Sequence, residues 1–262
     1  MNLGLNNKIA MVAGASRGLG FAVAKALARE GAHVSISSSN PDKIDAAAKA
    51  IQQDSGAKVF AMAADVRSAD ALTKWHDATV QHFGGLDLLY PNCGGPPLGP
   101  VLKFSDAEWQ GAFELLLLSA LRMIRLAVPV MESRGGGAIV LPTSSAVKEP
   151  IPNLSLSNVM RASVASLSKV LAVELAPKKI RVNHLVPGRI HTDRVDETDI
   201  ANAQRLNTTV EEQRKKHYAN IPMGRYGDPD EFAAAAVFLF SDAASYITGA
   251  TLQADGGQLK GV

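Results

Sequence analysis

Short apolar runs and amphipathic stretches alternate along the whole of this 262-residue chain, and that alternation limits its fold more than any other feature. KIAMVAG (8–14), HVSIS (33–37), KVFAMAAD (58–65), LDLLYP (86–91), GAIVLPTSS (137–145), IRVNHLVPG (180–188) and ATLQADGG (250–257) read as strands. FAVAKALAREG (21–31), the stretch from Asn40-Pro41 to Gln53, ALTKWHDATVQHF (71–83), LSNVMRASVASLSKVLAVELA (156–176) and DEFAAAAVFLFS (230–241) read as helices. Gly31 stops the first helix, Pro41 suits the first turn of the second, and Ser105 is placed to cap a helix after the loop GGPPLGPV. Parallel strands need crossover connections, and helices supply them. The order therefore predicts an α/β fold: a mostly parallel seven-stranded sheet, doubly wound, with helices on both faces. No repeat, low-complexity tract or linker breaks the pattern, so residues 1–262 read as a single domain.

Composition excludes several classes of function. The chain is 47% hydrophobic and 20% charged, with net charge +2. Its basic residues are dispersed, so no nucleic-acid partner is expected. Cys93 is the one cysteine; an internal disulfide is impossible and a reducing, cytoplasmic setting is expected. Residues 2–8 are polar, so no signal peptide is expected. Residues 113–131 are the most apolar tract, but Glu114, Arg122 and Arg125 interrupt it, so a membrane partner is not expected. That tract and the helix 156–176 carry more apolar surface than one sheet face buries, which predicts a homodimer or homotetramer. Residues 193–218 are polar and irregular in pattern, and a lid is expected at about 189–220. Arg194, Arg205 and Arg214 there read as a solvated helix face or as contacts to an acidic substrate. No metal site is expected.

After the first strand comes AGASRGLG, with Gly14, Gly18 and Gly20 spaced G-x-x-x-G-x-G. Glycines at a strand-to-helix turn permit close backbone approach, and the helix N-terminus beyond favours a phosphate. This is the arrangement of a Rossmann-type nucleotide-binding unit.

With that loop in place the sequence resembles the short-chain dehydrogenase/reductase family almost end to end. The loop, including Ser16, Arg17 and Leu19, matches the family's cofactor loop, and Asp65-Val66 matches the pair that holds the adenine. PNCGG (91–95), with Asn92 and Gly94, stands where the family has Asn-Asn-Ala-Gly. VNHLVPGRIHT (182–192) matches the segment passing the nicotinamide, through Pro187, Gly188, Ile190 and Thr192. The C-terminal third resembles the β-ketoacyl-acyl-carrier-protein reductase branch. The resemblance implies a nicotinamide cofactor and a small carbonyl substrate. At the end of the second strand, members that use NAD usually carry an acid; Ser38, Ser39 and Asn40 stand there instead. Arg17 can pair with a 2′-phosphate, or it is solvated and the serines cap the next helix. NADP(H) is expected over NAD(H).

The catalytic set the resemblance implies is a serine, a tyrosine, a lysine and an asparagine. Ser144 falls at the serine, Ser157 at the tyrosine, Arg161 at the lysine, which also binds ribose, and Leu116 at the asparagine. Ser157 and Arg161 lie one helical turn apart on one face. An aliphatic hydroxyl does not titrate near the range of a phenol, and arginine stays charged. The relay cannot run unchanged. One reading has Ser144 and Ser157 holding the carbonyl oxygen while Arg161 binds ribose. A second gives the acid role to His191 or Lys148, both of which also read as solvated loop residues. A third is a regulator or assembly partner that binds NADP(H) without turnover. Cys93 reads as a small residue beside the cofactor rather than a nucleophile.

Overall fold

The computed structural model describes residues 3–261. Seven parallel strands form one sheet among the described residues: β1 (Ile9–Val12), β2 (His33–Ser38), β3 (Val59–Ala63), β4 (Leu88–Tyr90), β5 (Gly137–Pro142), β6 (Ile180–Pro187) and β7 (Thr251–Ala254). Their spatial order is β3-β2-β1-β4-β5-β6-β7. The winding reverses between β1 and β4, which pair in register from Ala10↔Leu88 to Val12↔Tyr90. Reversal at adjacent parallel strands leaves a crevice at their carboxyl ends.

The two-residue period of the strands sorts the core into two layers. Ala10, Val12, Val34, Ile36, Leu88 and Tyr90 face one layer. It is completed by α1 (Gly18–Arg29), α2 (Pro41–Ser55) and α9 (Pro229–Phe240). Ile9, Met11, Leu89, Ile139 and Val182 face the other, filled by α3 (Ala69–Phe83), α5 (Ser119–Ser133) and α6 (Ser155–Leu175). Ser105 caps α4 (Asp106–Phe113) through a reciprocal box with Glu108, as its spacing predicts.

Two features depart from the sequence reading. The apolar tract 113–131 does not form one regular helix: α4 passes into α5 through a π turn, Glu114–Leu118. The wider turn frees backbone groups, and the Ser119 hydroxyl donates to the Leu115 carbonyl at 2.6 Å. Residues 193–218 are not irregular either. They form α7 (Asp193–Leu206) and α8 (Val210–Ala219). Among the described residues, no helix is long and apolar enough to cross a membrane.

One buried carboxylate fastens the sheet at its winding point. Asp87, just before β4, accepts the Ile9 amide of β1 at 2.8 Å. It also receives Arg134, at the end of α5, through Nε at 2.9 Å and Nη2 at 3.2 Å. Asp87→Ala would leave the Ile9 amide without its acceptor and Arg134 without its ion pair. Urea denaturation is expected to show a loss of about 3 kcal/mol in that variant.

Candidate functional site

The crevice begins at the glycine loop. Gly14 and Gly18 adopt φ of +59° and +60°, which side-chain-bearing residues avoid. A Cβ on Gly20 would stand 2.3 Å from the Gly14 carbonyl oxygen, so α1 can start here only with glycine at that place. Arg17 occupies the N-cap without a side-chain cap, and the first turn of α1 carries no acid. The turn thus presents uncapped amides to an anion. Asn92 Nδ2 donates to the Gly14 carbonyl at 3.3 Å and ties the loop after β4 to the glycine loop. Open space lies over Gly94.

Along the rim of the crevice the expected residues have partners of their own. Ser38 donates to the Asn40 carbonyl at 3.1 Å, and Asn40 caps α2 through the Lys43 amide at 2.9 Å; Ser39 is exposed. No acid stands at this turn. Asp65 is gripped by Arg67, with Nη2 at 2.7 Å, and the side-chain hydrogen bond holds its carboxyl below the usual range. Val66 and Ile190 are buried, Ile190 in the core layer that α9 completes. Arg17 is exposed but not free. It reaches Asp193 and Glu197 of α7, each at 3.1 Å, and those acids hold its proton more tightly than usual.

At the ends of β5 and α6 the pair Ser157 and Arg161 comes together as the helical spacing predicts. Ser157 is buried, and Arg161 Nε donates to its Oγ at 3.3 Å. Ser144 opens a 3₁₀ turn (145–147) and accepts the Ala146 amide at 3.2 Å. That turn and the π turn both pack against α6. Leu116, in the π turn, is buried. Burial pushes the Cys93 thiol up, with the Arg161 charge acting against it.

Histidines and acids that the sequence reading passed over also lie here. His184 of β6 is buried, bonded to Thr143 through Nε2 and to Thr251 through Nδ1 at 3.1 Å. Burial, aided by the Lys148 charge, pushes this imidazole down to about 4, so it is neutral. Asp199 of α7 has no exposed surface. It accepts Arg189 at 3.0 Å and the Tyr226 hydroxyl at 2.9 Å, with Arg214 Nε and His217 Nε2 each at 3.6 Å. Arg214 also pairs with Asp196 at 2.5 Å. Arg189 lies directly after Pro187-Gly188, so this carboxylate ties α7 to the segment that follows β6. His191 is half exposed and 3.4 Å from Asp196 of α7. Lys148 is exposed. Arg194 lies against Gly95, and Arg205 bonds Asn202. Among the described residues, no group of three or more His, Cys, Asp or Glu is placed to hold a metal ion.

A family profile described as Enoyl-(Acyl carrier protein) reductase matches residues 14–258. The chain belongs to the short-chain dehydrogenase/reductase family. Human dehydrogenase/reductase SDR family member 4 is 34% identical over 254 residues, covering 97% of this chain and 88% of the relative. The L-sorbose reductase of Gluconobacter frateurii, solved with NADPH and L-sorbose, superposes with a TM-score of 0.95 at 32% identity, covering all of both chains. YwfH, an NADPH-dependent reductase involved in bacilysin biosynthesis, superposes at 0.93 with 30% identity, covering 98% of this chain and all of that one. This short-chain dehydrogenase/reductase is thus an oxidoreductase with a nicotinamide-cofactor fold. The uncapped turn and the Gly14–Gly20 approach fit a dinucleotide pyrophosphate.

The Asp199 cluster generates a prediction. Asp199→Asn removes the charge that Arg189 and Tyr226 bond and that Arg214 and His217 approach. Amide exchange across 193–219 is expected to rise roughly a hundredfold while that of β4–β6 holds, because loss of a buried partner is spent on local opening.

Proposed function

We propose that this protein transfers a hydride between NADP(H) and a small carbonyl compound of the 3-oxoacyl type, by a mechanism altered from that of its family. What supports the reading is the Ser157–Arg161 pair, seated on α6 against the turn that Ser144 opens, with the Arg161 charge acting on Cys93 in the loop after β4. The protein would be a single nucleotide-binding domain with a lid at about 189–220. Gly14, Ser16, Gly18, Leu19 and Gly20 would hold the pyrophosphate, Asp65 and Val66 the adenine, and Asn92 and Gly94 the neighbouring backbone. Pro187, Gly188, Ile190 and Thr192 would line the nicotinamide, which supplies or accepts the hydride when bound.

The protein's own groups divide the remaining work. Arg161 would bind ribose and keep a fixed positive charge beside the reacting oxygen. Ser144 and Ser157 would donate to that oxygen, and preorganised donors of this kind stabilise charge as it develops. NADP(H) is favoured over NAD(H) because Ser38, Ser39 and Asn40 present no acid to a 2′-phosphate. Arg17, in the glycine loop, would pair with that phosphate in exchange for Asp193 and Glu197, which hold it in the structure. A regulator that binds the cofactor without turnover predicts the same binding and no hydride transfer.

Half-exposed or more exposed Val159, Val170 and Val173 on α6 support assembly into a homodimer or homotetramer through this helix. Light scattering at micromolar concentration is expected to show at least a dimer; a monomer would remove that part of the reading.

Calorimetry tests the cofactor assignment. Arg17→Ala is expected to weaken NADPH binding by about 1.5–3 kcal/mol and leave NADH nearly unchanged. Arg161→Ala is expected to weaken both cofactors, and Ser157→Ala neither. Steady NADPH oxidation with a 3-oxoacyl thioester supports the function. Tight NADPH binding with no oxidation across carbonyl substrates favours the regulator.

A further inference from the structure

Arg17 joins two elements that are far apart in sequence. It is the N-cap residue of α1, in the glycine loop, and its side chain makes no capping bond there. Its Nη1 donates instead to Asp193 Oδ2 and to Glu197 Oε1, each at 3.1 Å. Those acids stand four residues apart in the first two turns of α7, so they share one face of that helix. One guanidinium of the loop thus latches the start of α7.

The latch is made of parts that can exchange partners. Arg17, Asp193 and Glu197 are each about half exposed or more, so each passes to water at little penalty. Glu197 has a second cation in reach, Arg194 at 3.7 Å. Asp193 lies in the first turn of α7, where the helix N-terminus favours a negative charge with or without Arg17. Neither carboxylate is stranded when the guanidinium leaves. The next fastening along α7 is of another kind. Asp199 has no exposed surface and is bonded to Arg189 and Tyr226. The helix therefore stays attached there when its start is released.

A phosphate monoester is the natural competitor for such a guanidinium. It carries more charge than a carboxylate and three acceptor oxygens. The pyrophosphate is common to both nicotinamide cofactors and fits the uncapped amides of α1. The 2′-phosphate is what distinguishes them.

We propose that Asp193 and Glu197 are positioning residues that hold Arg17 in competition with a 2′-phosphate, so that NADP(H), and not NAD(H), unlatches α7 from the glycine loop. The inference rests on the reading of Arg17 as the 2′-phosphate contact, and adds a penalty and a consequence to it. The penalty is that the phosphate must displace two carboxylates, so the native protein binds NADP(H) less tightly than Arg17 alone would allow. The consequence is coupling between cofactor identity and the start of α7. Such coupling is reciprocal: whatever loosens the latch tightens NADP(H) by the same factor.

Adenosine 2′,5′-bisphosphate and adenosine 5′-monophosphate test this without turnover and without a nicotinamide. By calorimetry, the double variant Asp193→Asn with Glu197→Gln is expected to bind the bisphosphate about tenfold tighter than the native protein, the scale of two exposed ion pairs. Its affinity for the monophosphate is expected to stay within about twofold. In an Arg17→Ala background the same two changes are expected to lose most of that gain, because the acids act through Arg17. Amide exchange in the first two turns of α7 is expected to rise several-fold in native protein saturated with the bisphosphate, and not with the monophosphate. A native preference for the bisphosphate that the double variant fails to increase would overturn the inference and leave the NADP(H) reading standing. So would an equal gain for both nucleotides, a gain that survives intact in Arg17→Ala, or exchange in α7 that the bisphosphate leaves unchanged. Equal binding of the two nucleotides by the native protein would sink the NADP(H) reading and the inference together.

Discussion

The whole arrangement depends on Asp87. Its carboxylate takes the first amide of β1 and the guanidinium at the end of α5, and so pins the amino ends of β1 and β4 side by side. Those two strands are where the winding reverses, and their other ends open the crevice. A pair of parallel strands that diverged here would separate Gly14 from Asn92, which meet across that crevice. A buried ion pair is a poor source of net stability, because desolvation offsets most of the Coulomb gain. What Asp87 contributes is register: one amide and one arginine satisfied together in a single alignment of the strands.

Much of this was legible in the sequence because it rests on period and on glycine. Alternation of strand-like and helix-like runs is a local signal, and right-handed crossovers limit how such runs can wind; the place where the winding reverses is a tertiary fact. Ser157 and Arg161 met because four residues make one helical turn. Residues 193–219 were not legible in the same way. Their helices α7 and α8 bury few apolar residues, so hydrophobic period says little about them. A signal was nevertheless present, since Thr209 and Glu212 form a reciprocal capping box of the Ser/Thr-x-x-Glu kind. Nothing local marks Asp199 as buried: its partners Arg189, Arg214, His217 and Tyr226 come from three separate stretches. The π turn at 114–118 is equally silent in composition, because leucine serves an α-helix and a π turn alike. Arg17 was read as a phosphate contact or a solvated residue, and its pairing with acids 176 and 180 residues away is a tertiary fact.

Ser144 stands at the 3₁₀ turn after β5, Leu116 in the π turn and Ser157 on α6, and both turns pack against that helix. Under the proposed function the chemistry would differ from the family's by side chain. A hydroxyl bonded to a guanidinium would stand in place of a phenol and an ammonium, and a leucine in place of an amide. Electrostatic stabilisation would survive such a change, because donors and charge remain. The family's proton relay would not.

The helix α7 is fastened in two different ways within its first two turns. Near its start, Asp193 and Glu197 meet Arg17 in exposed ion pairs, which salt screens and which contribute at most about 1 kcal/mol each. Two residues beyond Glu197, Asp199 is sealed from solvent and bonded to Arg189 and Tyr226, beyond the reach of screening. Rising ionic strength therefore weakens the tie between α7 and the glycine loop and leaves the tie to the segment after β6 intact.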